Sequence, residues 1–401
     1  MPLSLANDTL TVITLCSLDH RVSITIYNLP TQSMLKPAVL SKRLSTRSLL
    51  EIWVDRYKLD AFMLISGCTG NELIDVIEEK GRNKTFKKAH KWIKISSEFA
   101  GLKTNSLFSY IPNVVSLEEA RQIAGFVEKI YTKLLDVYQQ QQVSSEWVAL
   151  IDSLNNSNSV IESLEKASSI DLLVIEQVAI EIEPLILALQ NQHLACQDRR
   201  TIGFMSTQFH FSTQLLLSRL QPIEQLLLKP YLQFVEEQVC IPWQRICAAA
   251  NRHFASSPVI TAVKSMLPQS EEISSDIYSQ ALTLFPTHRS RRGLLTQPEV
   301  AASSIRDMSM FQAYLWLCVL EGNMSSVENE LLPLCLMVFP AISVDWEITQ
   351  VAVELMTTCI QKRLDVGHMA IVEPYMHAMK QLFIKAKSSP ELLEQKVSAS
   401  I

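Results

Sequence analysis

Apolar positions along this chain follow two different periods. In "LTVITLC" (10–16) and "VSITIYN" (22–28) β-branched residues alternate with polar ones, and "SLDHR" separates the runs, which predicts a hairpin. Residues 46–58 have helical spacing, and "AFMLI" (61–65) is a short apolar run suited to a buried strand. Further short strands are expected at 91–96 and 107–111. Thr69/Glu72 and Ser116/Glu119 have the spacing of capping boxes, and the second opens a long helix, "SLEEARQIAGFVEKIYTKLLDVYQQQQ". Residues 1–140 therefore read as a small α/β domain.

The pattern changes after "QQQQVSS" and "SLNNSNS" (153–159), polar low-complexity stretches that predict a linker over 141–160. From there the spacing is helical. Helices are expected over 168–195, 203–220, 222–254 and 274–285, within a helical region 161–285 punctuated by Pro184, Pro222, Pro230, Pro242 and Pro258. Four more follow at short intervals, about 298–321, 325–339, 344–364 and 369–387, so 286–401 reads as an antiparallel four-helix bundle-like lobe. Thr296/Glu299 and Ser325/Glu328 supply capping-box spacings there, and Gly322 and Gly367 stand where helices are expected to stop. The predicted fold is predominantly α-helical, an N-terminal α/β domain followed by a helical bundle.

The order of elements before residue 140 resembles a receiver domain, chiefly in a strand followed by "PNVVSLEEARQIAGFVEKI". A receiver that accepts phosphate needs an acidic pair after its first strand and an aspartate after its third. "LCSLDH" and "LISGCTG" stand at those places, so the resemblance implies at most a degenerate receiver-like block without a phosphoacceptor.

Composition narrows the chemistry. Nine glycines in 401 residues are about a third of the usual ~7%, and phosphate loops and strained catalytic turns depend on glycine. There is no G-x-x-x-x-G-K-[ST], H-E-x-x-H or G-x-S-x-G motif. The eight cysteines are scattered without a C-x-x-C pair, which speaks against a zinc or disulfide framework and fits a reducing cytoplasm. No signal peptide or membrane span is expected, and neither a cofactor nor a metal. His193 and Cys196 share a helical face without further ligands, and His210, in "QFHFSTQ", reads as a hydrogen-bonded core residue.

Against a net charge of −5, residues 80–94, "KGRNKTFKKAHKWIK", carry seven lysines and arginines and no acid. If the stretch is helical, Lys84, Lys87, Lys88 and Lys91 share one face and Phe86, Ala89 and Ile93 the other, which would anchor it. With Arg82 and Lys94, this row predicts a docking face for an acidic protein or for nucleic acid. The competing reading pairs it internally with the acidic segment 146–183, which holds eight acids against Lys166. A second basic cluster, Arg289, Arg291 and Arg292, is expected in an exposed loop.

Cys68, in "LISGCTG", sits where a helix N-terminus would activate a thiol, but no arginine follows six residues later, as the phosphatase signature requires. The stripe Phe311, Leu315, Cys318 and Val319, with Tyr314 and Trp316, fits a bundle core or a homodimer seam. The expected function is a non-catalytic regulatory or adaptor protein that docks an acidic partner. The alternatives are a nucleic-acid-binding transcriptional regulator and an enzyme using Cys68.

Overall fold

The structure, a computed structural model, describes residues 14–17, 20–23, 49, 57, 70–109, 115–141, 175–195, 201–254, 256–291 and 293–387. The chain divides into two compact units, residues 1–40 and 41–401. In the first, β1 (Thr14–Ser17) and β2 (His20–Ser23) form an antiparallel hairpin that pairs Cys16 with Arg21 and Ser17 with His20, so Ser17, His20 and Arg21 of the expected connector are strand residues, while 10–13 and 24–28 of the expected strands lie outside the described residues.

Among the described residues, the long elements of the second unit are helices from residue 70 onward, and they do not support the α/β domain expected over 1–140. α1 (Gly70–Ile77) is followed by α2 (Glu79–Leu107) and α3 (Leu117–Gln140). The strand expected at 91–96 is the middle of α2, and that expected at 107–111 begins on its last residue. The run 61–65, Thr69 and Cys68 lie outside the described residues. α3 starts as predicted. Ser116 Oγ accepts from Glu119 N at 3.2 Å, and Glu119 Oε2 accepts from Ser116 N at 2.6 Å.

The buried stripe of α2 explains why its period was hidden. It consists of small and polar residues, Thr85, Ala89, Ser96, Ser97, Ala100, Gly101 and Thr104, with Ile93 the one large apolar member. Thr104 Oγ1 returns its proton to Ala100 O at 2.7 Å, satisfying the hydroxyl within the helix. At Gly101 three helices meet: Gln208, from α5 (Thr201–Leu217), donates to Ala120 O of α3 at 3.1 Å. A Cβ at Gly101 would stand 3.2 Å from the Gln208 amide nitrogen. Small side chains let α3 and α5 approach α2 closely, while its large apolar residues Ile95, Phe99 and Leu102 face solvent.

α4 (Ile175–Ala195) packs on α3, so helices on either side of the predicted linker 141–160 belong to one unit. Residues 142–160 of that linker lie outside the described residues. Proline sets the next boundaries. Pro222 occupies the first turn of α6 (Pro222–Cys240), and Pro242 separates it from α7 (Trp243–Ala250), interrupting the helical stretch 222–254 at one of the prolines expected to do so, while Pro230 stays inside α6. Pro258 opens α8 (Pro258–Met266), and α9 (Ser270–Leu284) follows.

The hairpin β3 (Arg289–Ser290) and β4 (Gly293–Leu294) replaces the predicted basic loop. α10 (Pro298–Glu321) matches its expected span and ends at Gly322, whose φ of 72° suits a glycine cap. Neither downstream capping box forms. Gln297 is the N-cap of α10, and Ser325 instead donates its backbone N–H to Asn323 Oδ1 at 3.0 Å ahead of a π turn, Val327–Leu331. α11 (Leu332–Ala341), α12 (Trp346–Gln361) and α13 (Val366–Lys387) complete the fold. Gly367 lies in the first turn of α13 and does not end a helix; Asp365 Oδ1 accepts from Gly367 N and His368 N at 3.0 Å each.

Phe311, Tyr314, Leu315, Trp316 and Cys318 are fully buried within this chain, and Val319 nearly so. α10 is the central helix of the second half, so the stripe is core and not a free dimer seam.

One half-buried acid carries a pH signature. Burial pushes the Glu183 carboxyl on α4 up to about 7. The folded state thus binds its proton more tightly than the unfolded chain. The associated stability is present below the unfolded value of 4.5 and is lost as pH rises through about 7. Glu183→Gln should therefore match the wild type near pH 4 and exceed it by about 1–3 kcal/mol at pH 8. Urea titrations at the two pH values measure this, and equal stability gains at both would refute it.

Candidate functional site

The predicted basic face is a real helix face, but with fewer members than its sequence spacing indicates. Lys84, Lys87, Lys91 and Lys94 are exposed on α2. Lys88 is turned inward: its Nζ donates to Glu224 Oε1 at 2.7 Å, and Glu224 is only 3% exposed. Thr85 Oγ1 reaches the same oxygen at 3.1 Å, and Gln221 N donates to Oε2 at 2.8 Å. Burial alone would raise the Glu224 carboxyl, but Lys88, Gln221 and Thr85 together hold it below its ordinary value.

Arg82 leaves the row altogether. It is 8% exposed, beside Tyr138 and Tyr231, and burial lowers its pKa. Phe86 is half-buried and stacks on exposed His90, ring centroids 5.5 Å apart, so it is not the anchor expected. Arg82, Thr85, Ala89 and Ile93 hold the helix instead.

Internal pairing with the acidic segment takes a different form from that predicted. Glu181 bonds Lys133 of α3 at 2.8 Å, not α2, while Glu146, Asp152, Glu162, Glu165 and Asp171 lie outside the described residues. Among the described residues, Lys84, Lys87, Lys91 and Lys94 have no ion pair. In the second cluster, Arg289 and Arg291 are exposed on the hairpin, and Arg292 lies outside the described residues.

A cavity missed by sequence reasoning lies where the two halves of the helical unit meet. It has a volume of about 160 Å³ and is bounded by α5, α6, α9, α10, α11, α12 and the β3–β4 hairpin. Its walls are mostly aliphatic, including Ile277, Val300, Leu334, Val338 and Ile348. At one end His210 Nδ1 lies 3.2 Å from Glu236 Oε2, which also faces Arg306 Nη1 at 3.4 Å. Arg306 reaches Asp307 at 3.4 Å as well. Burial would raise the Glu236 carboxyl, and His210, Arg306 and Thr213 bring it below its usual range. His288 also lines the cavity, and its Nδ1 lies 3.3 Å from the exposed carboxylate of Asp345.

His210 is hydrogen-bonded as its aromatic context suggested, yet it lines a cavity rather than the solid core. No local pattern in the sequence signals it, because Glu236, Arg306 and His210 come from three separate helices. The Cys240 thiol in the cavity wall is a poor nucleophile, because burial pushes it up to about 12, as it does Cys247 and Cys318 elsewhere in the fold. Among the described residues there is no cluster of three or more metal-ligating side chains, and no helix is long and apolar enough to cross a membrane.

No protein-family model, curated protein or solved structure matches the chain.

Proposed function

We propose that this protein is a non-catalytic regulatory or adaptor protein, and that the solvent face of α2 docks an acidic protein partner. The observation that carries this reading is the unpaired exposed row Lys84, Lys87, Lys91 and Lys94 on a helix whose opposite face is packed against α3 and α5. Folding gives no reason for four ammonium groups along one line, since neighbouring like charges oppose it. The same face continues into Ile95, Phe99 and Leu102, which are 46%, 61% and 63% exposed. A basic run followed by an apolar run fits an amphipathic acidic segment, with charge setting orientation and the apolar end supplying buried area.

The test is affinity capture with the wild-type protein and the double variant Lys87→Glu/Lys91→Glu, with retained proteins identified by mass spectrometry. The expected result is an acidic protein held by the wild type, lost from the variant and released as salt rises. Retention of nucleic acid in place of protein, with a salt-dependent gel shift, would transfer the face to the nucleic-acid reading. A binding partner indifferent to the double reversal would remove α2 as the docking surface.

A further inference from the structure

We infer that the cavity between the two halves of the helical unit is a binding site for a small primary amine with an apolar body, held as its ammonium ion. The assignment rests on a carboxylate with acceptor capacity left over. Asp307 lines the cavity from α10, and its side chain is 29% exposed. Its Oδ1 faces Arg306 Nη2 at 3.4 Å, and its Oδ2 has no partner among the described residues. Glu236 is the more enclosed acid, with His210 Nδ1 and Arg306 Nη1 both on its Oε2. With the histidines neutral, this end of the cavity carries two carboxylates against one guanidinium. Burial would lower the Arg306 guanidinium, and Asp307 and Glu236 more than offset it, so its charge is already committed to both acids. The excess negative charge therefore belongs to Asp307, the acid that a ligand can reach.

Hydroxyl groups of the wall supply a second, independent observation. Ser206 and Ser303 return their protons to Gly203 O and Val300 O, at 3.2 and 3.0 Å, as helical serines commonly do. Thr207 on α5, Ser304 on α10 and Thr349 on α12 also line the cavity, yet have no hydrogen-bond partner among the described residues. Thr207 and Thr349 are only 8% and 3% exposed, so a partner for them comes from the cavity. An ammonium group brings three donors, one for Asp307 and two for hydroxyl oxygens. An uncharged molecule leaves the Asp307 charge uncompensated, and an anion opposes it. A hydrated metal ion would leave the aliphatic wall of Ile277, Leu334 and Val338 uncovered, and the described residues hold no cluster of three metal-ligating side chains. A volume of about 160 Å³ compares with the ~150 Å³ apolar cavity that accepts benzene, so the ligand has about six to eight non-hydrogen atoms.

Calorimetry on the full chain at neutral pH tests the assignment with benzylammonium, benzyl alcohol, toluene and benzoate. Benzylammonium should bind with a Kd of about 0.1–1 mM, and about tenfold more tightly than benzyl alcohol or toluene. Benzoate should bind most weakly. Asp307→Asn, which keeps the shape and removes the charge, should bring benzylammonium down to the level of the neutral probes. Thr349→Val, which replaces a hydroxyl by a methyl group, should weaken benzylammonium about threefold and leave toluene unchanged, and it serves should Asp307→Asn fail to fold. Ala352→Leu, which fills the cavity wall, should abolish binding of benzylammonium and toluene alike. The assignment falls if benzylammonium does not bind the wild-type protein, or if a neutral probe binds equally well. Preference for benzoate would reverse the charge argument. Benzylammonium binding that survives Ala352→Leu belongs to surface carboxylates, and a preference that survives Asp307→Asn removes the carboxylate on which the site is built.

Discussion

Arg245→Ala should destabilise the folded protein by about 3–5 kcal/mol, among the largest effects of any single substitution outside the aromatic core. Arg245 stands on α7 and reaches into the angle between the end of α10 and the π turn. Its Nη1 donates to Glu330 Oε1, and its Nη2 donates to Ser326 Oγ at 2.8 Å and faces Glu321 Oε2 at 3.4 Å. Glu330 also accepts from Tyr314, at 3.4 Å, and Ser326 Oγ donates to Glu321 at 2.9 Å. Burial would lower the Arg245 pKa, and the two glutamates more than offset it, so the guanidinium stays charged. Alanine leaves Glu330, 9% exposed, without its cation, and leaves Glu321, 17% exposed, with only Arg252 at 3.8 Å. Adding Glu330→Gln should restore part of the loss, because a neutral amide tolerates burial better than an unpaired carboxylate. Chemical denaturation of the three proteins measures both steps. A loss below about 1 kcal/mol for Arg245→Ala would mean that the carboxylates reach water once the arginine is gone.

How much of this was legible beforehand depends on which residues face inward. α10 was placed from its sequence because it begins with Pro298, ends at Gly322 and is apolar enough to be central. The start of α3 was legible from Ser116 and Glu119, whose local chemistry needs no tertiary context. α2 was misread from residue 91 onward because its apolar residues are on the wrong side for the usual rule. Ile95, Phe99 and Leu102 face water, whereas Thr85, Ser97, Ala100 and Thr104 face α3 and α5. A period computed on hydrophobicity cannot find a helix whose buried stripe is small and polar. The basic row was visible as a row, but the sequence could not tell that Lys88 and Arg82 point inward, because Glu224 and Tyr231 are more than a hundred residues away. The cavity escaped for the same reason in stronger form. His210, Glu236, His288 and Arg306 come from separate elements, and no local spacing records their convergence.

The distinction between inward and outward lysines leads to a contrast within one helix. Lys88→Glu should cost about 3–5 kcal/mol, whereas Lys87→Glu and Lys91→Glu should each change stability by no more than about 0.5 kcal/mol. Lys88 pairs with a nearly buried carboxylate, and reversal both removes the pair and sets a second carboxylate against Glu224. Lys87 and Lys91 have only solvent to lose. Acid titration supplies an internal check. In the wild type the Glu224 carboxyl is held below its ordinary 4.5, so the pair contributes stability above that value and loses it as pH falls through the folded pKa. In Lys88→Glu the two carboxylates repel until they are protonated, so the penalty is greatest at neutral pH and shrinks toward pH 4. Thermal unfolding of the single variants at pH 7 and pH 4 separates the cases. If Lys87→Glu or Lys91→Glu destabilises the isolated protein as strongly as Lys88→Glu, those lysines serve the fold and the docking face loses its basis. If all three are neutral, Glu224 is held by Thr85 and Gln221 alone, and Lys88 returns to the outward row that its spacing in the sequence predicts.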